Sequence, residues 1–167
     1  MTRTNSHTLT ICLAISLLFA ANVGRGAEGW INQRDPDFGF SYSLPGGAFK
    51  PVQGDRPSFY YYSSPETGAK FMVGAWRNDG KTPSEFKNWM LTHIGGYEEV
   101  TYRPGGRSWF VLSGYRDDQI YYEKVIFSCG GRVASAFALV YPDALRKRFD
   151  PVVERVEDTF QKSRNCD

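Results

Sequence analysis

Apolar and polar residues alternate near the start of the chain, between positions 38 and 45. Phe38, Phe40, Tyr42 and Leu44 occupy one set of positions, and glycine or serine fills the positions between them. A period of two residues is typical of a β-strand with one buried face. Two aromatic-rich runs follow at residues 58–63 and 69–77, with a turn composition between them, and we predict that they pair as a hairpin.

A helix is predicted after the hairpin, because residues 82–85 are Thr-Pro-Ser-Glu. Thr82 then serves as the N-cap, Pro83 as the first helical residue and Glu85 as the third, which is a capping box. The glycine pair at 95 and 96 predicts the end of this helix. Its apolar stripe is expected to consist of Phe86, Trp89, Met90, His93 and Ile94.

The second half of the chain returns to strand patterns. Apolar runs at residues 97–103, 108–116, 120–129 and 132–141 are separated by short turns of Gly, Pro or Asp, which predicts an antiparallel meander. A C-terminal helix should follow, with Asp150 and Pro151 as cap and first-turn residue and a shorter helix before it near 144–148. The pattern as a whole predicts an α+β fold, an antiparallel sheet of about six to seven strands flanked by helices.

The N-terminus has the pattern of an export signal. The run from Ile11 to Val23 is uninterrupted and apolar, and small residues follow it, as in a secretory signal peptide. A bilayer span needs about 20 apolar residues, so an uncleaved anchor is the minor alternative. We therefore expect residues 1–27 to be a signal peptide, residues 28–167 to form one domain, and the mature protein to be periplasmic or extracellular.

Charge and composition narrow the class of partner. The whole chain has 20 Lys and Arg against 18 Asp and Glu. Arg3 and Arg25 lie in the predicted signal, so the mature chain is electrically balanced. A nucleic-acid-binding protein normally has a basic excess or a basic stripe, and we expect no nucleic-acid partner. The hydrophobic content of 41% is that of a globular domain rather than a disordered chain.

Two cysteines, Cys129 and Cys166, remain after removal of the signal. In an exported protein they are expected to form one disulfide. A nucleophilic or metal-binding thiol is the alternative. By strand alternation Cys129 should share a face with Phe127 and Val125, and that face should then lie beneath the C-terminal helix.

Three segments together resemble the Mog1/PsbP-like superfamily, particularly its small exported bacterial members of unassigned function. They are the aromatic opening Phe38 to Pro45, the meander ending in Tyr141-Pro142, and the closing stretch from Phe149 through Phe160. The resemblance implies an α/β/α sandwich built on an antiparallel sheet. It also implies non-enzymatic work, as an accessory factor or a partner-binding protein. The resemblance assigns no functional residue to this chain.

Catalytic and cofactor motifs are sparse. His93 is the one histidine outside the predicted signal, so a multi-histidine metal site is excluded and neither a metal nor a cofactor is expected. His93 with Ser108 or Ser113 would be needed for a hydrolase, which stays an alternative to a non-enzymatic protein. Residues 74–82 end in Gly-Lys-Thr, but the glycine spacing is one residue too long for a phosphate loop. Asp117-Asp118 is expected to be a hairpin turn.

The aromatic content is the unusual feature, with 12 Phe, 10 Tyr and 4 Trp in the chain. Alternation should turn Tyr61 away from Tyr60 and Tyr62, and the Gly- and Pro-rich loop at 44–57 should be exposed. We therefore predict a binding surface for an envelope protein, or alternatively for a glycan, and its candidate residues are Tyr61, Phe49, Trp76 and Tyr115. The competing interpretation is that tyrosines merely cover both faces of a helix-flanked sheet.

Overall fold

The computed structural model describes residues 29–94 and 97–167. The predicted signal peptide, residues 1–27, and the glycine pair expected to end the first helix lie outside the described residues.

Nine strands form two antiparallel sheets in the described part of the chain. They are β1 Trp30–Arg34, β2 Ser41–Pro45, β3 Lys50–Val52, β4 Phe59–Ser63, β5 Lys70–Arg77, β6 Glu99–Tyr102, β7 Trp109–Arg116, β8 Gln119–Ser128 and β9 Val133–Pro142. Strands β1 and β2 pair as a ribbon, and the other seven form a sheet in the order β3-β4-β5-β9-β8-β7-β6. The predicted α+β class and the antiparallel sheet of six to seven strands are confirmed.

The first helix, α1, spans Pro83–His93. Its capping box is present: the Thr82 side chain accepts from the Glu85 N–H at 3.2 Å, and the Thr82 N–H donates to Glu85 Oε2 at 2.8 Å. The predicted apolar stripe is wrong in part, because the helix meets the sheet through Phe86, Met90 and Leu91. Trp89 is 38% exposed as a result.

The second helix, α2, spans Arg146–Thr159 and follows a 3-10 turn at Asp143–Leu145. The prediction that Asp150 and Pro151 begin this helix is wrong, since both lie inside it. Phe149 is a buried residue of the helix, together with Val153 and Val156, and burying all three on one stripe requires the helix to begin earlier. The Asp150 side chain accepts a hydrogen bond from the Tyr141 hydroxyl at 3.0 Å instead.

Each face of the large sheet has its own apolar core. Helix α2 and the β1-β2 ribbon cover one face, where Phe40, Phe71, Phe137 and Val156 are fully buried. Helix α1 covers part of the other face, where Met90 packs with residues such as Phe110 and Leu112. The β1 strand, which the sequence pattern did not predict, completes the ribbon by pairing Ile31 with Leu44.

A disulfide joins Cys129 to Cys166, with the two Cα atoms 5.4 Å apart. This confirms the predicted pairing. The expected face is wrong, because Phe127 and Val125 pack in the core beneath α1 rather than α2. Cys129 lies beyond β8 with a φ of 56°, so strand alternation does not extend to it.

Candidate binding groove

Helix α1 leaves part of its sheet face uncovered, and a groove of about 320 Å³ lies there. We call it the Tyr61 groove. It is lined by Asp55, Arg56, Tyr61, Met72, Ile94, Tyr97, Arg116, Tyr121, Glu123, Ala138 and Val140. Five strands contribute to this lining, namely β4, β5, β7, β8 and β9. The β3-β4 loop, the end of α1 and the segment before β6 supply the other side chains.

The groove exists because α1 is too short to cross the whole sheet. On β9, Ala134 and Ala136 pack in the cluster beneath α1. Ala138 and Val140 continue the same strand face and line the groove instead. The helix ends at His93, and Ile94 at its C-cap forms part of the groove rim. Small side chains on the central strand therefore give the groove its floor.

Tyr61 forms one wall of the groove. As the alternation predicts, Tyr60 and Tyr62 pack against the core of the opposite face while Tyr61 lines the groove. Its hydroxyl donates to Asp55 Oδ1 at 3.1 Å. Gly54 lies directly against the ring, since a Cβ built at Gly54 would sit 1.9 Å from Tyr61 Cδ2. The β3-β4 loop thus holds the tyrosine ring in place.

Glu123 brings a carboxyl group into a largely aromatic surface. The Tyr97 hydroxyl donates to Glu123 Oε2 at 2.6 Å, and the Tyr97 ring meets the Tyr121 ring edge-on at 5.1 Å. Burial raises the pKa of Glu123, and the Tyr97 hydrogen bond and nearby Arg56 oppose that rise. Burial and the negative Glu123 raise the pKa of Tyr97. Each side chain therefore loses its proton less readily than it would in water, because its pKa is raised.

Two arginines balance the acidic side chains of the groove. Arg56 lies over the ring of Phe59 at 5.8 Å, and Arg116 lines the groove from the end of β7. With Asp55 and Glu123 they give the lining two positive and two negative side chains. The groove therefore offers apolar contact, hydrogen-bonding groups and both signs of charge within a small area.

The other predicted binding residues do not join Tyr61 in the groove. Phe49 is 7% exposed and packs edge-on against Phe149 in the core of the opposite face. Trp76 is half-buried and stacks between Phe59 and Phe86, next to α1. The four candidates thus do not form one surface, and Phe49 is unavailable to a partner because its ring is inside the core.

Tyr115 lies on the opposite sheet face from the Tyr61 groove and packs against the core there. Its ring is covered by Arg146, whose guanidinium lies 5.5 Å from the ring centroid and also donates to the Tyr115 hydroxyl. Any contact that Tyr115 makes with a partner would therefore belong to a different surface.

The acidic and basic members of the groove were not predicted from the sequence. One signal was available on β8, where Tyr121, Glu123, Val125 and Phe127 occupy alternate positions. A lone carboxylate on an otherwise apolar strand face indicates either a buried polar contact or a site. Its neighbours across the sheet depend on strand order and register, and those follow only from the fold.

His93 is exposed on α1, and its imidazole contacts its own helix. The Nδ1 atom lies 2.7 Å from Thr92 Oγ1 and 3.1 Å from the Trp89 carbonyl oxygen. Among the described residues, no hydrogen bond joins His93 to a serine or a carboxylate. Ser113 donates instead to the Tyr121 carbonyl oxygen at 2.8 Å. The geometry that a serine hydrolase requires is thus not assembled around His93.

Residues 29–94 and 97–167 contain no group of three or more His, Cys, Asp or Glu side chains that could hold a metal ion. In the same ranges, no helix is both long enough and apolar enough to cross a bilayer.

Comparisons with known proteins identify the fold. No protein-family model matches the chain, and no curated protein matches it. The solution structure of cyanobacterial PsbP (CyanoP) from Synechocystis sp. PCC 6803 is similar, with a TM-score of 0.57 at 13% identity over 83% of this chain and 95% of that one. The Ran-binding protein Mog1p of Saccharomyces cerevisiae has a TM-score of 0.57 at 8% identity, over 81% and 96% of the two chains. This protein therefore has the Mog1/PsbP-like fold.

Proposed function

We propose that the protein is an exported, non-enzymatic binding module that holds a segment of a partner protein in the Tyr61 groove. The observation that carries the proposal is the groove itself, an aromatic and charged surface that helix α1 leaves open. The fold supports it, because the similar yeast protein is described as Ran-binding. Neither that partner nor its binding residues are transferred to this chain.

The lining of the groove favours a polypeptide over a sugar. Sugar rings stack on open aromatic faces, but Gly54 lies against the Tyr61 ring and Tyr97 meets Tyr121 edge-on. A polypeptide segment can place an apolar side chain on Met72 and Ala138 and pair its polar groups with charged side chains at the rim. Tyrosine and arginine are also the residues that most often dominate protein interfaces. The glycan alternative thus lacks the open ring face that it needs.

Export is supported by two features. The apolar run from Ile11 to Val23 has the length of a signal-peptide core. The Cys129–Cys166 disulfide is of the kind that persists in oxidising compartments. An envelope partner would follow from this location. Fractionation of cells expressing the full chain should recover a shortened protein outside the cytoplasm, and full-length protein confined to the cytoplasm would contradict the export part of the proposal.

The binding part is tested by affinity capture from the native envelope, followed by binding to the purified partner. Tyr61→Ala should weaken binding by about tenfold or more, as loss of an aromatic interface residue commonly does. Tyr102→Ala is the matched control, since Tyr102 is 54% exposed and does not line the groove. Equal affinity of the Tyr61 variant and wild type would contradict the assignment of the groove, and recovery of a glycan alone would favour the alternative ligand.

A further inference from the structure

A second cleft, of about 530 Å³, lies at the N-terminal end of α1 and away from the Tyr61 groove. Three loops and the C-terminal segment build it. Its lining includes Gly80, Lys81 and Thr82 before α1, Arg107 and Ser108 before β7, Ser128 at the end of β8 with residues 129–132 after it, and Lys162. We call it the basic cleft.

Every charged side chain that lines the basic cleft is positive. Lys81, Arg107, Arg132 and Lys162 come from four separate segments of the chain, and no Asp or Glu is among the lining residues. Asp79 belongs to the same loop as Lys81 but does not line the cleft. No salt bridge joins any of the four cations to an acidic side chain among the described residues. In a chain whose mature charge is balanced, this concentration of one sign is a local feature that attracts anions.

The loops of the basic cleft are fixed to one another. The Asn78 side-chain amide donates to the Lys81 carbonyl oxygen at 2.8 Å and to the Gly131 carbonyl oxygen at 2.7 Å. This amide therefore joins the loop before α1 to the turn after β8. The Cys129–Cys166 disulfide ties the same turn to the C-terminal segment. The cations consequently converge on a largely preformed surface, which lowers the entropic cost of binding.

The start of α1 and Ser128 also border the basic cleft. The first turn of α1 borders the cleft at Thr82 and Pro83, but the Thr82 and Glu85 N–H groups are already paired within the capping box, so these two donors are not free to bind an anion. Ser128 also lines the cleft and is 6% exposed. Its Oγ has no hydrogen-bond partner among the described residues. A buried hydroxyl that lacks a partner costs free energy, but this Oγ has no surface open to the cleft, so the four cations are the groups that face a bound anion.

We propose that the basic cleft binds a phosphate or sulfate group, either as the free anion or as part of a small ester. The Gly-Lys-Thr sequence at 80–82 contributes to this cleft without forming a phosphate loop, since the glycine spacing is too long for that motif. The cations supply charge-assisted hydrogen bonds to the oxyanion. The cleft shares no lining residue with the Tyr61 groove, so its ligand is independent of the partner proposed above.

The test is a titration of the purified mature protein with inorganic phosphate at constant ionic strength, followed by the amide NMR signals of Gly130 and Gly131. Saturable shifts are expected. Arg107→Gln and Lys81→Gln should each weaken binding by about tenfold, the loss of one charge-assisted contact. Lys50→Gln removes an exposed cation outside the cleft and should leave the affinity unchanged. Both cleft residues can be replaced without disturbing the core, and unchanged melting curves would verify this.

Shifts that grow linearly without saturation would overturn the proposal, as would an equal loss of affinity in the Lys50 control. Glycerol 3-phosphate in a parallel titration distinguishes the two sources of the anion. Tighter binding of glycerol 3-phosphate than of inorganic phosphate would show that the ligand is a phosphate ester. Equal or weaker binding of the ester would show that the ligand is the free anion. Tyr61→Ala should not alter either affinity, which separates this site from the Tyr61 groove.

Discussion

The Tyr97 hydroxyl donates a 2.6 Å hydrogen bond to the Glu123 carboxylate inside the Tyr61 groove. This pair joins the segment before β6 to strand β8, and it fixes the polar part of the groove floor. Burial raises the pKa of Glu123 above its ordinary value of 4.5. The folded protein therefore holds the Glu123 proton more tightly than the unfolded chain does.

This raised pKa predicts how stability changes with pH. Between pH 4.5 and the folded-state value, the folded protein binds more protons than the unfolded chain, so the contribution of Glu123 to the free energy of unfolding falls as pH rises. Glu123→Gln removes the titration and keeps an acceptor for Tyr97. Urea midpoints from pH 4 to 8 should show the variant gaining stability relative to wild type as pH rises. If the stability of the variant relative to wild type does not change with pH, or falls as pH rises, the burial of the Glu123 carboxyl group is contradicted.

The disulfide predicts a large loss of stability on reduction. Cys129 and Cys166 are 37 residues apart, and closing a loop of that length stabilises the fold by about 4 kcal/mol on the chain-entropy model. Replacing both cysteines with serine should lower the urea-extrapolated free energy of unfolding by about that amount. Peptide mapping without reductant should find one linked peptide in protein from its native compartment. Two freely alkylated thiols in that sample would refute the pairing.

The capping box predicts a smaller effect at the start of α1. Thr82→Ala removes the acceptor for the Glu85 N–H and should cost about 1 kcal/mol of stability. Chemical denaturation of the variant measures this directly. Thr101→Ala serves as the control, because Thr101 is exposed on β6 and caps no helix. An unchanged midpoint and slope for the Thr82 variant would argue against the cap.

Gly114 lies so close to the backbone of β6 that we expect this position to tolerate no side chain. A Cβ at this position would lie 1.7 Å from the Glu99 carbonyl oxygen on the edge strand β6. Gly114→Ala should therefore displace β6 and cost about 2 kcal/mol, as overpacking does. At Gly105 the nearest atoms to an added Cβ are 3.4 Å away, so Gly105→Ala should be close to neutral. Similar melting temperatures for the two variants would show that β6 does not pack as described.

Much of the fold could be predicted from local pattern alone. The alternation through residues 58–63 correctly turned Tyr61 away from its neighbours, because strand geometry leaves no other choice. The Thr-Pro-Ser-Glu sequence at 82–85 located the start of α1 for a similarly local reason. The Asp150-Pro151 pair gave a wrong prediction of the start of α2. Its sequence is typical of a cap, but burial of Phe149 requires the helix to begin before it.

The site was harder to predict because it depends on strand order. Phe49 lies within the segment 44–57, and the Gly- and Pro-rich composition of that segment gave no sign that the Phe49 ring would reach the core. Glu123 and Tyr61 are far apart in the sequence. They line one groove because β5 and β9 lie between β4 and β8, in a register that places Met72 and Ala138 between them. The length and docking of α1 determine which part of the sheet stays open. The alternation pattern predicts neither of these.

The most direct test of the central claim is site-specific photo-crosslinking of the full chain in its native cells. A photoreactive phenylalanine analogue at position 61 should yield one protein adduct, and the same analogue at position 102 should not. The crosslinked protein, once purified, should bind wild type and Tyr102→Ala equally and Tyr61→Ala about tenfold or more weakly. An adduct at position 102 but none at 61, or undiminished binding by Tyr61→Ala, would contradict the Tyr61 groove as the binding site.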